Sequence, residues 1–191
     1  PGTAPSAPND GDLWTTGAGL FVRAAGATVG PLNPGLAQLL QVRQQQASGV
    51  NSAVPNIFGA QSWTTQVLNT TLINQIPGAS LASNQVTLPA GTYLVVGAVP
   101  GFNNNTGNTP SVKLRLRNLT DGTTILSGPA LTLADYEGAA APITGAFTLA
   151  ASKTLALQTW SSDNVHQVVV GLPAYSGEPE VFADITFQKV A

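Results

Sequence analysis

The sequence predicts an all-β protein, a β-sandwich or barrel preceded by a small hairpin. Three observations predict it. From residue 54 onward, short runs rich in Val, Ile, Leu, Thr and aromatic residues follow one another, separated by clusters of Gly, Pro, Asn, Asp and Ser. Several runs alternate apolar and polar residues, the pattern of an antiparallel sheet with one buried face. Hydrophobic residues make up 43% of the chain, enough for a real core, while charged residues make up only 8%, against an average of about 25%.

The elements follow in order. Residues 1–35 hold a Pro/Ala/Ser stretch, Pro1 to Pro8, read as a flexible tail or linker, and then a hairpin. Its strands are Leu13-Trp14-Thr15 and Leu20-Phe21-Val22-Arg23, joined by Thr16-Gly17-Ala18-Gly19, with a second turn at Ala24-Ala25-Gly26-Ala27. The hairpin is too small to fold alone, which makes it a connector with Trp14, Leu20 and Phe21 as its assembly residues. Residues 36–53 are a short helix or an extended linker. Leu36, Leu39, Leu40 and Arg43 fall near one helical face, Pro34 precedes them and Gly49 follows.

Residues 54–191 form the main domain. Its expected strands are Asn56–Leu68, Asn84–Leu88, Gly91–Val99, Ser111–Asn118, Thr124–Leu133, Ile143–Ala150, Thr154–Ser161, Val165–Val170 and Val181–Val190. The clearest is Ser111–Asn118, where Val112, Leu114 and Leu116 face one way and Lys113, Arg115 and Arg117 the other. The spacing of ten to fifteen residues with turns between suits a sandwich.

Composition excludes several functions. The chain has no cysteine, hence no disulfide, thiolate nucleophile or Cys-based metal site. The net charge is −2 and the seven Lys and Arg are scattered. The one row at 113, 115 and 117 lines a single strand, whereas a nucleic-acid footprint draws cations from several elements, so no nucleic acid is expected. There is no apolar run of 18 residues, so no helical membrane span is expected. A surface so poor in charge suits a chain buried against copies of itself.

Two stretches carry a resemblance. Leu88-Pro-Ala-Gly-Thr-Tyr-Leu-Val95, with its Pro89-x-Gly91-x-Tyr93 turn and strand, and the closing VFADITFQKVA resemble the jelly roll of the complement-globular-head and tumour-necrosis-factor superfamily. In physical terms Pro89 and Gly91 make a tight turn, and Tyr93 brings a ring to the core and a hydroxyl that needs a partner. The segment GDLW…GLFVRAAGATVGPL resembles short elements of the fibres of tailed bacteriophages. Together they imply a homotrimeric jelly-roll knob on a phage fibre or spike, at the virion surface. The stalks, disulfides and calcium sites of some superfamily members are not seen, so neither metal nor cofactor is carried over.

Candidate chemistry is sparse. The only histidine, His166, lies near Asp163, Ser161 and Ser162, but in a turn and strand start without a nucleophile elbow, so no triad is expected. Asp135, Glu137, Glu178, Glu180 and Asp184 could supply a glycosidase pair. Glu178 and Glu180 flank Pro179, and Asp135 and Glu137 flank Tyr136, but nothing in the sequence brings the pairs together, and they read as solvated loop carboxylates or a calcium site. Catalytic residues are therefore none. Binding has better candidates: Phe102 before the loop residues Asn103, Asn104 and Asn105, and the loop residues Tyr136 and Tyr175. Flat rings stack on sugar faces and amides bond hydroxyls. Trp63 and Trp160 lie within strands and read as core or interface. The expected function is adhesion to a bacterial surface polysaccharide, with other virion proteins bound through the N-terminal segment. The alternatives are a structural head-fibre, decoration or baseplate component without its own ligand, and a capsule- or wall-degrading enzyme.

Overall fold

The structure, a computed structural model, describes residues 2–17, 19–32, 38–53, 58–163 and 168–190. It divides into two compact units, Pro1–Ala37 and Gln38–Ala191. The first holds β1 (Leu13–Thr16), β2 (Gly19–Ala24) and β3 (Ala27–Leu32) in an antiparallel meander. The expected second turn is there. Ala25 and Gly26 both take positive φ, 50° and 72°, the geometry of a two-residue turn that matches strand twist. The amide of Gly26 is tied to both Asp10 carboxylate oxygens, at 2.9 and 3.2 Å. The third strand had no apolar alternation strong enough to announce it.

The second unit is a sandwich of two antiparallel sheets. Its strands are β4 (Gln38–Gln46), β5 (Thr64–Thr65), β6 (Thr70–Asn74), β7 (Ser80–Ala82), β8 (Gln85–Leu88), β9 (Gly91–Asn103), β10 (Ser111–Asn118), β11 (Thr123–Ser127), β12 (Leu131–Thr132), β13 (Gly138–Leu149), β14 (Lys153–Ser161), β15 (Val168–Val169) and β16 (Glu180–Lys189). The front sheet runs β13-β9-β16-β4-β6, with β15 also on β9. The back sheet runs β11-β10-β14-β8-β7, with β12 on β10 and β5 on β14. The core between them is built from alternate residues, as β10 shows: Val112, Leu114 and Leu116 are buried while Lys113, Arg115 and Arg117 point outward. Tyr93 is fully buried, stacks on Phe147 at 5.5 Å between centroids, and donates its hydroxyl hydrogen to the Pro89 carbonyl at 2.8 Å. The turn thus supplies the partner that the buried phenol requires.

Three expectations need correction. Residues 38–46 are not helical. They form β4, a strand between β16 and β6, because the period is two: Leu40, Val42 and Gln44 are buried while Leu39, Gln41 and Arg43 are not. The helix reading failed on Gln44, which is polar yet fully buried. It donates to Ser52 Oγ at 2.7 Å and accepts from Gln66 Nε2 at 2.6 Å. Second, the long strand expected over 56–68 is mostly irregular in its described part, with Thr64–Thr65 paired to β14 and Ala60 in an isolated bridge to Ser161; residues 56 and 57 lie outside the described residues. Third, the strand expected over 124–133 breaks in two at Gly128. There a Cβ would sit 2.2 Å from the Pro142 carbonyl oxygen, so only glycine lets the chain pass. Of the expected strand 165–170, residues 168–169 pair with β9, and residues 165–167, His166 among them, lie outside the described residues.

Candidate functional site

The binding candidates are set by the ends of the front-sheet strands. Phe102 and Asn103 close β9, opposite β13 on one side and β15 on the other. Asn103 is fully buried, which corrects its place among the ligand-binding residues. Its side-chain amide donates to the carbonyls of Asn108 (2.8 Å) and Ala134 (3.0 Å), and its backbone amide to Glu137 O (2.9 Å). The residue ties two loops together. A third tie runs from the Gly107 amide to Asp135 Oδ2 at 2.8 Å. The loops 104–110 and 134–137 are thereby held side by side, which places Asn104, Asn105 and Tyr136 near one another. Asn104 is exposed and Asn105 half-buried, and Asn105 accepts the Thr106 amide at 2.8 Å.

Tyr175 lies in the loop before β16. It is 74% exposed and Tyr136 60%, the two most exposed aromatic rings described. Both have positive φ, 52° at Tyr136 and 56° at Tyr175. Of the six described non-glycine residues in that region, Ala25, Ser83 and Asn84 sit in two-residue hairpin turns; a bulky aromatic there is an outlier that its surroundings must enforce. The enforcement is visible. Glu180, buried at the start of β16, accepts the amides of Gly49, Ala174 and Tyr175, each at 3.0 Å. The Ala174 and Gly49 amides, with that of Tyr175, hold its carboxyl below the usual range. The Tyr175 ring lies so close to Gly49 that a Cβ there would stand 2.8 Å from it. At Tyr136 a turn closes instead, with the Glu137 amide bonding Ala134 O at 3.2 Å and Glu137 Oε2 accepting the Ala134 amide at 2.6 Å.

An open groove of about 420 Å³ lies at the front sheet, where the end of β9 and the starts of β13 and β16 meet. Phe102, Pro100 and Ala140 line one side and Leu172, Val181 and Phe182 the other. Four of the five candidate carboxylates have structural tasks, and the fifth, Glu178, is exposed in the loop before β16. Asp135, Glu137 and Glu180 tie loop backbone as described, and Asp184 accepts from Arg43, 2.8 Å away, and from Gln41 at 2.9 Å. Ser161 and Asp163 are buried. Among the described residues no three His, Asp or Glu side chains gather at metal-ligating range.

The outer face of the front sheet carries a flat apolar area. Leu94 and Val96 of β9 are 45% and 66% exposed, and Val181 and Val190 are exposed at the two ends of β16. Ala146 and Thr144 stand opposite Leu94 and Val96 on β13, and Gln188 and Thr186 opposite them on β16. The charges on this face, Arg43 and Asp184, neutralise each other.

The assembly candidates divide between two faces of the N-terminal sheet. Trp14 and Phe21 are paired in register and stack on each other at 5.9 Å with 10° between planes. They line a cleft shared with residues 4–9. Leu20 belongs to the opposite face, where Leu13 (65% exposed) and Val29 also stand open. The sequence could not show that the Pro-rich segment flanks the aromatic pair.

No protein-family model and no curated protein matches the chain. Solved structures do. Murine APRIL, in its crystal structure at pH 5.0, matches with a TM-score of 0.51 at 12% identity, over 81% of this chain and 99% of that one. The same protein at pH 8.5 gives 0.48 at 13% identity, over 81% and 99%. The globular domain of zebrafish complement 1qA gives 0.49 at 10%, over 81% and 98%. At these identities the likeness is one of fold alone, an all-β jelly-roll sandwich.

Proposed function

We propose that this chain is the adhesive knob of a bacteriophage fibre or spike, working at the virion surface as a homotrimer that grips a bacterial surface polysaccharide. The observation that carries the reading is the pair of exposed tyrosines held at positive φ by loop ties. A strained aromatic ring kept in water contributes little to the fold, and such strain accumulates where a surface is kept for binding. Tyr136 and Tyr175 offer flat faces to sugar rings, Asn104 and Asn105 offer amides to hydroxyls, and Phe102 lines the groove beside them. The apolar front face, with Leu94 and Val96, is the surface through which copies associate. Three weak sites on one particle then act together through effective concentration. The N-terminal sheet joins the knob to the rest of the fibre.

Purified chain is expected to bind host cells and to block adsorption of the particle. Tyr136→Asn and Tyr175→Asn should each lower cell binding at least tenfold. Their unfolding midpoints should hold or rise, because asparagine takes positive φ more readily than tyrosine. A chain that leaves cells untouched and adsorption unchanged is a structural virion component instead. Release of new reducing ends from host polysaccharide would make it an enzyme.

A further inference from the structure

Nothing in that reading uses the outer face of the back sheet. Val112, Leu114 and Leu116 turn into the core, so Lys113, Arg115 and Arg117 stand outward on β10. With a rise of about 3.3 Å per residue, the three cations lie about 7 Å apart in a row about 13 Å long. The sheet register adds the rest. Lys113 stands opposite Trp160, and Arg115 opposite Gln158, which itself faces Thr65 across β14. Trp63 stands two residues before Thr65 and so shares that face. The Arg115 guanidinium lies 4.1 Å from the centroid of the Trp63 ring.

Both tryptophans are half-buried at this surface, whereas their strand positions pointed to the core or an interface. Two of the three tryptophans and three of the seven cations of the chain thus share one sheet face. The ion pairs among the described residues are Arg43–Asp184 and Lys153–Asp121, so no carboxylate neutralises the row. Asp121, at the turn after β10, is held by Lys153 at 2.6 Å and Asn118 at 2.9 Å. Arg115 is already oriented. Its Nε donates to Gln158 Oε1 at 2.8 Å, and the Trp63 ring fixes its plane. Burial and the neighbouring Arg117 cation both lower its pKa, so the row repels itself until an anion comes.

We infer that this face is a second binding surface, and that its ligand is an acidic polysaccharide. The repeating carboxylates or sulfates of such a polymer meet Lys113, Arg115 and Arg117, and its sugar rings lie against Trp63 and Trp160. Gln158, buried beneath them, holds Arg115 through its Oε1 and Thr65 through its Nε2. A nucleic acid fits less well, because its closely spaced phosphates call for cations from several elements. A single row on one strand matches charges spaced by sugar units. The inference deepens the adhesion reading by naming the sugar class, but it is carried by a different surface from the loop end.

The test is binding of the full chain to polygalacturonate, with dextran as the uncharged sugar polymer and oligo(dT) as a polyanion without stacked sugars. Polygalacturonate is expected to bind at least tenfold more tightly than either, and several-fold more weakly when salt rises from about 0.05 to about 0.3 M. The double variant Lys113→Gln/Arg117→Gln, at two half-buried outward positions, should lose at least tenfold, with an unchanged unfolding midpoint. Trp160→Leu should lose several-fold with the salt dependence intact. Dextran binding equal to polygalacturonate, oligo(dT) binding as tight, or a double variant that binds like the parent would each overturn the inference. If Tyr136→Asn removes uronate binding and the double variant does not, the polymer sits at the loop end, which sinks this surface and leaves the adhesion reading standing. The reverse pattern, uronate binding at the row with no cell attachment at all, would sink adhesion and keep the row.

Discussion

Two buried side chains fix local geometry in the sandwich, Tyr93 near the start of β9 and Glu180 at the start of β16. Tyr93 reaches the Pro89 carbonyl from inside the core. Tyr93→Phe keeps the ring stack on Phe147 and leaves that carbonyl without its partner, so a loss of about 1–2 kcal/mol in denaturant unfolding is expected. Glu180 works on the loop end. Its folded pKa is depressed by backbone amides, so the clamp is complete above the ordinary glutamate range near about 4.3. It weakens as pH falls through the lower folded value, because only the ionised carboxylate accepts all three amides well. Hydrogen exchange of the Gly49, Ala174 and Tyr175 amides should therefore quicken in acid before the core amides do. Glu180→Gln should show the same fast exchange at neutral pH and lose its pH dependence. Equal protection in the variant would mean that the loop holds itself.

Among the elements, those with a clean period of two are legible in the sequence itself. β8, β9, β10, β14 and β16 lie where alternation of Leu, Val and Ile with polar residues places them. β4 is not legible in this way, because Gln44 breaks the apolar pattern at a core position. Its partners, Ser52 and Gln66, are brought to it by folding rather than by sequence proximity. The tryptophans escape for another reason. A strand pattern fixes which residues share a face but not which face is covered, and Trp63 and Trp160 lie on the outer one. The same limit applies to the loop end. Phe102, Tyr136 and Tyr175 are legible as aromatics of loops and strand ends, but the Asn103 and Glu180 ties that hold those loops are not, because their partners lie far apart in sequence. In the N-terminal sheet, register decides the argument. Trp14 and Phe21 satisfy each other, while Leu13, Leu20 and Val29 remain open. In the proposed assembly that open face is the one that meets other copies. Because the chain lacks cysteine, Val29→Cys should give an interchain disulfide on mild oxidation, while Thr28→Cys, one residue away on the opposite face, should not. Equal cross-linking of both would deny the face any specificity.

At the scale of the whole molecule, the proposed adhesion has to come from a protein with so few charges. On that reading each loop end, with its shallow groove and few rings, binds a glycan weakly, and association through the flat front face turns one weak site into three. Val96 is the most exposed large apolar side chain of that face, with Thr144 and Thr186 opposite it on either side and no charge in the same row. An aspartate there meets water in a single copy, so the fold of the knob should be unaffected. In a trimer the same carboxylate is buried without a partner, next to those of the other copies, and burying unpaired charge is costly enough to drive the copies apart. Val96→Asp should therefore appear as a single chain in light scattering, with the unfolding transition of a folded knob. Its affinity for a short glycan fragment, measured by calorimetry, should match that of the parent. Attachment to whole cells should fall by about 10²-fold or more, since the gain from linked sites is about 10²–10⁴ and vanishes with the linkage. Loss of fragment binding along with cell attachment would move the ligand site onto the front face itself, whereas unchanged cell attachment by a monomer would show that one site suffices and that avidity has no part in adhesion.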